Sequence, residues 1–218
     1  MGHAERVKMD LEKTKSDIEA VVADCRVQIV FNGSPCGQHS LLIDRDHAVE
    51  VAKFLRDDVD LCFDYCSNAT GVDWLETETS EKVKVKKLVD GEEKEVEEIR
   101  KTQTAGYLEA VYHLYSMKKK HGPLVIRLRT GNRTDNVALP SLTPVWRSAE
   151  FQEREIFDLY GIVFEDHPDL RRILMWDEFE DYPMRKDYVE PNDYEYEPTP
   201  HDAVLEKSRQ ARAIEGQG

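Results

Sequence analysis

Residues 106–129 read GYLEAVYHLYSMKKKHGPLVIRLR. Leu108, Ala110, Tyr112 and Leu114 occupy alternate positions, as do Leu124, Ile126 and Leu128, which is the period of strands that bury one face. Two strands joined through MKKKHGP are predicted. Lys118, Lys119 and Lys120 at the tip read as a solvated turn that discourages edge pairing.

Working upstream, RVQIVF (26–31) and HSLLIDR (39–45) predict a second hairpin, because Gly33, Pro35 and Gly37 break the segment between them. Residues 9–23 carry Leu11, Ile18, Val21 and Val22 at helical spacing. A second helix is expected from an Asp44 or Asp46 cap, with Ala48, Val51, Ala52 and Leu55 on one stripe and an end near Asp57. LCFDYC (61–66) reads as a further strand. Helix, two strands, helix and three or more strands are not a regular βαβ alternation. They predict an α+β fold, a two-layer domain with helices on a mixed β-sheet, over residues 1–140.

Lys82–Ile99 is the most charge-patterned stretch. Asp90-Gly91 favours a type I′ turn, and pairing outward sets Val85 against Val96, Lys86 against Glu95 and Lys84 against Glu97. The alternative is a solvated charged loop, since two uncovered strands are marginal.

The chain has 218 residues, long enough to bury a core, with 44 Asp+Glu against 30 Lys+Arg and a formal net charge of −14. A phosphate backbone would be repelled, so nucleic acid is not an expected partner. No apolar run approaches the roughly 18 to 20 residues a membrane span needs, and the charged opening lacks an apolar signal region. A cytoplasmic start follows. Cys62 and Cys66, four residues apart on a strand, would lie roughly 13 Å apart and could not grip one ion. All four cysteines (25, 36, 62 and 66) are expected to be buried free thiols.

Beyond residue 140 the character changes. NVALPSLTPVW (136–146) reads as a connection. SAEFQEREIFDLYG predicts a three-turn helix with Ser148 as N-cap and Gly161 as C-cap, and with Glu150–Arg154 and Arg154–Asp158 pairs four residues apart. Asp177–Glu197 holds nine acidic residues against two basic, with several tyrosines and prolines. It has too little aliphatic material for a core of its own. Residues 141–218 are therefore expected to be a C-terminal helix followed by an extended partner-binding arm.

The densest chemistry lies at 153–172. Glu155, Asp158 and His167 could serve a stand-alone metalloenzyme, whereas Glu153 and Glu155 point about 200° apart on a helix and cannot converge on one ion. Asp166 reads as a cap before His167, Pro168 and Asp169, with proline in a first turn. Arg171 and Arg172 offer planar forks for carboxylates. Neither a P-loop, a dinucleotide glycine fingerprint, a G-x-S-x-G elbow nor an H-E-x-x-H motif occurs in the sequence.

EREIFDLYGIVFEDHPDLRRILMWDEFEDYPMRKDY (153–188) resembles the signature of the 30 kDa subunit of respiratory complex I, the bacterial NADH:quinone oxidoreductase. The resemblance extends through LCFDYCSNATGVDW and VYHLYS to most of residues 40–190. It departs at Phe179–Tyr182, where the family usually has a Trp-Glu-Gly-like sequence, and at Glu165-Asp166, where a glycine often precedes His-Pro. The 82–99 hairpin reads as an insertion.

The resemblance implies a two-layer domain with an extended arm, placed in the peripheral arm of a complex that uses FMN, iron–sulfur clusters, NADH and quinone. It implies no cofactor in this subunit. Its partners would be the 49 kDa-type quinone-site subunit and neighbouring iron–sulfur subunits, at the cytoplasmic face of the bacterial inner membrane. Arg154, Asp158, Arg171, Arg172, Arg185 and Asp187 are then candidates for an ionic lock. Glu153, Glu155, His167, Pro168, Asp169 and Lys186 are candidates for the partner interface. An equivalent subunit of a membrane-bound hydrogenase-type complex is the alternative assignment.

Overall fold

The structure is a computed structural model that describes residues 10–89 and 92–189. Helix α1 (Leu11–Val21) starts where the Asp10 carboxylate accepts the Lys13 N–H. Strands β1 (Val27–Val30) and β2 (Ser40–Ile43) form the expected antiparallel hairpin. Asp44 then caps a 3₁₀ turn at Arg45–His47 that leads into α2 (Ala48–Asp57), whose Ala48, Val51, Ala52 and Leu55 are all buried. On α1, Ile18 and Val22 enter the core while Val21 faces solvent, 62% exposed, so the predicted stripe is one residue too wide.

LCFDYC is not a strand throughout. Cys62 has φ +46, and the Asp58 carboxylate takes the N–H groups of Asp60 and Leu61, so the chain turns there and β3 runs from Tyr65 to Trp74. Phe63 is buried ahead of the strand. Cys66 is buried, and burial pushes its thiol up to about 12, whereas Cys36 is exposed and Cys62 only partly covered. The expectation of four buried thiols therefore holds for Cys25 and Cys66 alone.

β4 (Thr77–Val89) and β5 (Glu92–Thr104) pair antiparallel, with Val85 opposite Val96, Lys86 opposite Glu95 and Lys84 opposite Glu97. The hairpin register is as expected, though the strands run beyond 82–99. The Asp90-Gly91 turn lies outside the described residues.

β6 (Tyr107–Ser116) and β7 (His121–Arg129) complete a five-stranded sheet of order β1-β2-β7-β6-β3. β2 and β7 run parallel and the other neighbours antiparallel, so the sheet is mixed as expected. Leu108, Ala110, Tyr112, Leu114, Leu124, Ile126 and Leu128 are at most 1% exposed and share one core with Ile18, Val51, Leu55 and Ile156 from the helices.

NVALPSLTPVW contains a short strand, β8 (Ala138–Pro140), which pairs in parallel with β9 (Val163–Glu165). The prolines hid it, because an edge of three residues has no readable period. Between them runs α3 (Glu150–Tyr160), which packs on β3. Ser148 does not cap α3. It lies in a preceding 3₁₀ turn, and its hydroxyl donates to the Cys66 carbonyl. Gly161 ends the helix in the left-handed region at φ +75, as expected.

A Cβ at Gly161 would meet the Tyr182 ring at 2.6 Å. Gly161→Ala should cost about 1 to 2 kcal/mol from the positive φ and this encroachment together. Urea unfolding checks it, and an unchanged midpoint would contradict it. The described residues up to Lys186 belong to one compact unit, which includes α3 with the sheet, and a second unit begins at Asp187.

Candidate functional site

The centre is the inward face of α3, where Glu153, Arg154, Ile156 and Asp158 are buried together. Asp158 has no exposed surface. Its Oδ2 accepts the N–H groups of Ile173 (3.0 Å), Leu174 (2.7 Å) and Met175 (2.9 Å), and its Oδ1 accepts from Arg172 Nη1 at 2.7 Å. Burial opposes the charge, yet the Met175, Leu174 and Ile173 amides with the Arg172 guanidinium outweigh it and hold the carboxyl below its ordinary value. One carboxylate thus fixes a whole turn of the segment that follows β9.

Arg154 does not pair with Asp158, nor with Glu150. It reaches across to the same segment, Nε to the Arg171 carbonyl and Nη2 to the Arg172 carbonyl, with a longer contact from Nη1 to Asp169. Helical spacing made the Arg154 pairs look natural, but burial turns the guanidinium toward backbone acceptors that would otherwise be unsatisfied. Glu150 faces Arg147 at 3.6 Å instead.

The second buried acid is Glu153. Its Oε1 accepts from Tyr112 Oη (3.0 Å) and the Leu142 N–H (2.8 Å), and its Oε2 from Ser141 Oγ (2.6 Å) and Thr143 Oγ1 (3.0 Å). Burial pushes its carboxyl up, a shift that these donors only partly offset. Burial and the neighbouring Glu153 also push the Tyr112 hydroxyl well above its ordinary range, which keeps it a donor.

Asp166 stands at φ +60 in a turn and starts no helix. His167 Nε2–H donates to the Glu150 carbonyl and its Nδ1 accepts the Asp169 N–H, so both ring nitrogens are engaged in holding this turn to α3. Pro168 belongs to the same turn. Glu155 is exposed on the far side of α3. Glu155, Asp158 and His167 therefore do not converge, and among the described residues no trio of His, Cys, Asp or Glu is arranged to hold a metal ion.

Arg171 is the lock candidate that the structure demotes, because among the described residues its side chain pairs only with Asp169, on the surface, at side-chain exposures of 69% and 47%. Arg185 is drawn in more firmly: Nε donates to the Tyr160 carbonyl at 2.6 Å and Nη1 to the Arg133 carbonyl at 3.0 Å. The Lys186 N–H reaches Asp73, whose carboxylate also takes a two-pronged contact from Arg133 at 2.6 and 2.7 Å. Asp187 begins the second unit.

Sequence reading missed Asp73–Arg133 and a second cluster on the opposite sheet face, where Glu109 accepts from Trp74, Arg127 and Arg129. A signal existed for the latter. Glu109, Arg127 and Arg129 occupy the polar phase of the alternation in 106–129, and Glu109 lies opposite Arg129 once the strands are registered.

A two-layer α+β domain whose buried charges tie its C-terminal segment to its own helix defines a class of structural module. The sequence matches the family described as respiratory-chain NADH dehydrogenase, 30 Kd subunit, over residues 41–194. The chain belongs to that family.

It is 39% identical to the NADH-quinone oxidoreductase C subunit of Hyphomonas neptunium over 159 residues, 73% of this chain and 63% of that protein. It is 36% identical to the protein of the same name from Saccharopolyspora erythraea, over 70% of this chain and 49% of that one. The chain thus spans about half to two thirds of the length of these relatives. A chain of the membrane-bound sulfane sulfur reductase, an archaeal respiratory membrane complex, shares the fold at a TM-score of 0.56 and 17% identity, over 85% of this chain and 90% of that one.

Proposed function

We propose that the chain is a scaffold subunit of a proton-translocating NADH:quinone oxidoreductase. In this reading it packs on the quinone-site subunit of 49 kDa type and on neighbouring iron–sulfur subunits, in the peripheral arm at the cytoplasmic face of the membrane. It holds no cofactor itself and supports electron transfer from NADH to quinone by keeping that subunit in place. The observation that carries the reading is the turn locked by Asp158 and Arg172. It holds the backbone at Ile173–Met175 and leaves Leu174, 59% exposed, and Trp176 just beyond it, 50% exposed, facing outward. Exposed apolar side chains on a fixed loop are the kind of anchor an interface uses. No helix of the described residues is long and apolar enough to cross a membrane, so attachment would come through the complex.

The test is assembly. Arg172→Ala leaves a buried carboxylate short of its cation and should lower the amount of assembled complex severalfold, with turnover per assembled complex close to normal. Arg171→Ala removes an exposed pair, costs under about 1 kcal/mol and should leave assembly intact. Leu174→Ser should leave the thermal midpoint of the chain unchanged yet reduce assembly, which separates contact with a partner from folding. Full assembly with abolished quinone reduction in Arg172→Ala would overturn the scaffold reading. Flavin or iron–sulfur absorbance in the purified chain, or NADH oxidation by it alone, would overturn it as well.

A further inference from the structure

We propose that a cleft at the β1–β2–β7 edge of the sheet binds a phosphate group through Arg26, Arg45 and Arg129. The inference is independent of the scaffold reading. The cleft has a volume of about 270 Å³, and its lining includes Arg26, Gln28, Leu42, Asp44, Arg45 and Arg129.

Strand alternation explains why these side chains meet. Val27, Ile43 and Leu128 point into the core, so Gln28, Leu42 and Arg129 occupy the face away from it. The pairs Gln28–Leu42 and Leu42–Arg127 place the three strands side by side. Arg45 arrives from the 3₁₀ turn that follows β2.

The donors are only partly committed. Arg129 gives Nε and Nη2 to Glu109, which leaves Nη1. Arg45 gives Nη1 to Asn136 and holds Nε 3.7 Å from Asp46, which leaves Nη2. Arg26 is exposed and has no ion pair or hydrogen bond among the described residues. Asp44, the acid in the lining, turns its carboxylate toward the Asp46 N–H and His47.

Glu109 and the Tyr107 ring engage Arg129, and Asp46 stands near Arg45, so part of the positive charge is already offset. Arg26 adds a third guanidinium to a lining whose one carboxylate is Asp44, and an anion joining the three guanidinium groups would be favoured. Their planar forks, arriving from three elements, match a tetrahedral phosphate better than a point cation would. The volume falls just below the roughly 300 to 1,000 Å³ of sites for whole small molecules, so a headgroup or simple phosphate ester fits and a dinucleotide does not. The phosphate could be free or could belong to a phospholipid.

The experiment uses the full chain in chloride buffer, titrated calorimetrically with inorganic phosphate. It is also sedimented with vesicles of phosphatidylglycerol in phosphatidylcholine, against phosphatidylcholine alone. Wild type should bind phosphate, and Arg26→Gln should weaken that binding by at least about fivefold while its thermal midpoint in chloride stays unchanged. Arg26→Lys keeps the charge but loses the fork, and it should fall between the two even if the glutamine variant folds poorly. Vesicle binding that requires phosphatidylglycerol and is lost in Arg26→Gln assigns the site to a lipid headgroup. Phosphate binding lost in the variant, with no vesicle binding in wild type, assigns it to a free phosphate ester. Absence of phosphate binding, or binding to phosphate or vesicles that is as tight in the Arg26 variants as in wild type, overturns the proposal.

Discussion

Asp158→Ala is expected to destabilise the chain by about 3 to 5 kcal/mol, the usual cost of stripping the partner from a buried charge. At this chain length that lowers the thermal midpoint by about 10 °C. The alanine abandons the Arg172 guanidinium and the amides of Ile173, Leu174 and Met175 at once, and the turn they belong to loses its only shared acceptor among the described residues. Asp158→Asn should cost less, because an amide oxygen turned to the three N–H groups keeps them satisfied, while its NH₂ then faces the Arg172 Nη1 donor and both the ion pair and that hydrogen bond are lost. Equal midpoints for Asp158→Ala and wild type in thermal unfolding would contradict the account.

The pH dependence has a definite sign. The Asp158 carboxyl is lower in the folded chain than in the unfolded one, so its contribution is present above the unfolded value, about 3.9, and is lost as pH falls through the folded value. Wild type should lose this part of its stability in acid, and Asp158→Asn should not.

Glu153→Ala should have an effect of similar size, about 3 to 5 kcal/mol, while Glu153→Gln should cost about 1 kcal/mol. The asymmetry follows from which oxygen takes which donor. Oε1 accepts the Leu142 N–H and the Tyr112 hydroxyl, and an amide oxygen can replace it. Oε2 accepts from the Ser141 and Thr143 hydroxyls, which can rotate to accept from an amide NH₂ instead. Alanine leaves all four donors without their acceptor in a dry site and opens a cavity.

Glu153 also titrates in the opposite sense to Asp158. Burial raises its folded value, so its contribution is complete below the unfolded value, about 4.3, and is lost as pH rises through the folded one. Urea midpoints measured against pH should therefore decline less in Glu153→Gln than in wild type as pH rises above about 4.3. Parallel profiles for the two proteins would show that Glu153 does not carry this term.

α3 shows why the site was only partly legible. A helix usually announces its buried face by apolar spacing, but here that face carries Glu153, Arg154 and Asp158 beside Ile156. The density of charge marked the region, and the planar forks of Arg171 and Arg172 pointed to carboxylates. Local spacing then assigned the wrong partners. Arg154 four residues from Asp158 is a good pair on an isolated helix, whereas in the folded chain Arg172, fourteen positions away, takes Asp158. The same limit explains Glu153, whose partners Tyr112, Ser141 and Thr143 come from a central strand and a proline-flanked connection with no pattern of its own.

The sequence by itself determined what periodicity and turn chemistry can express. It specified the alternating strands at 106–129, the β1–β2 hairpin, the α2 stripe, the β4–β5 register, the Gly161 cap and an acidic chain built as helices on a sheet. These features depend on neighbours a few residues apart, or on pairing across one turn. Only the tertiary structure decided the parallel meeting of β2 with β7, the joining of β8 to β9, and which charges are buried with which partners. Those contacts close long loops. Their energy depends on removing both groups from water in one geometry, and no local pattern records that.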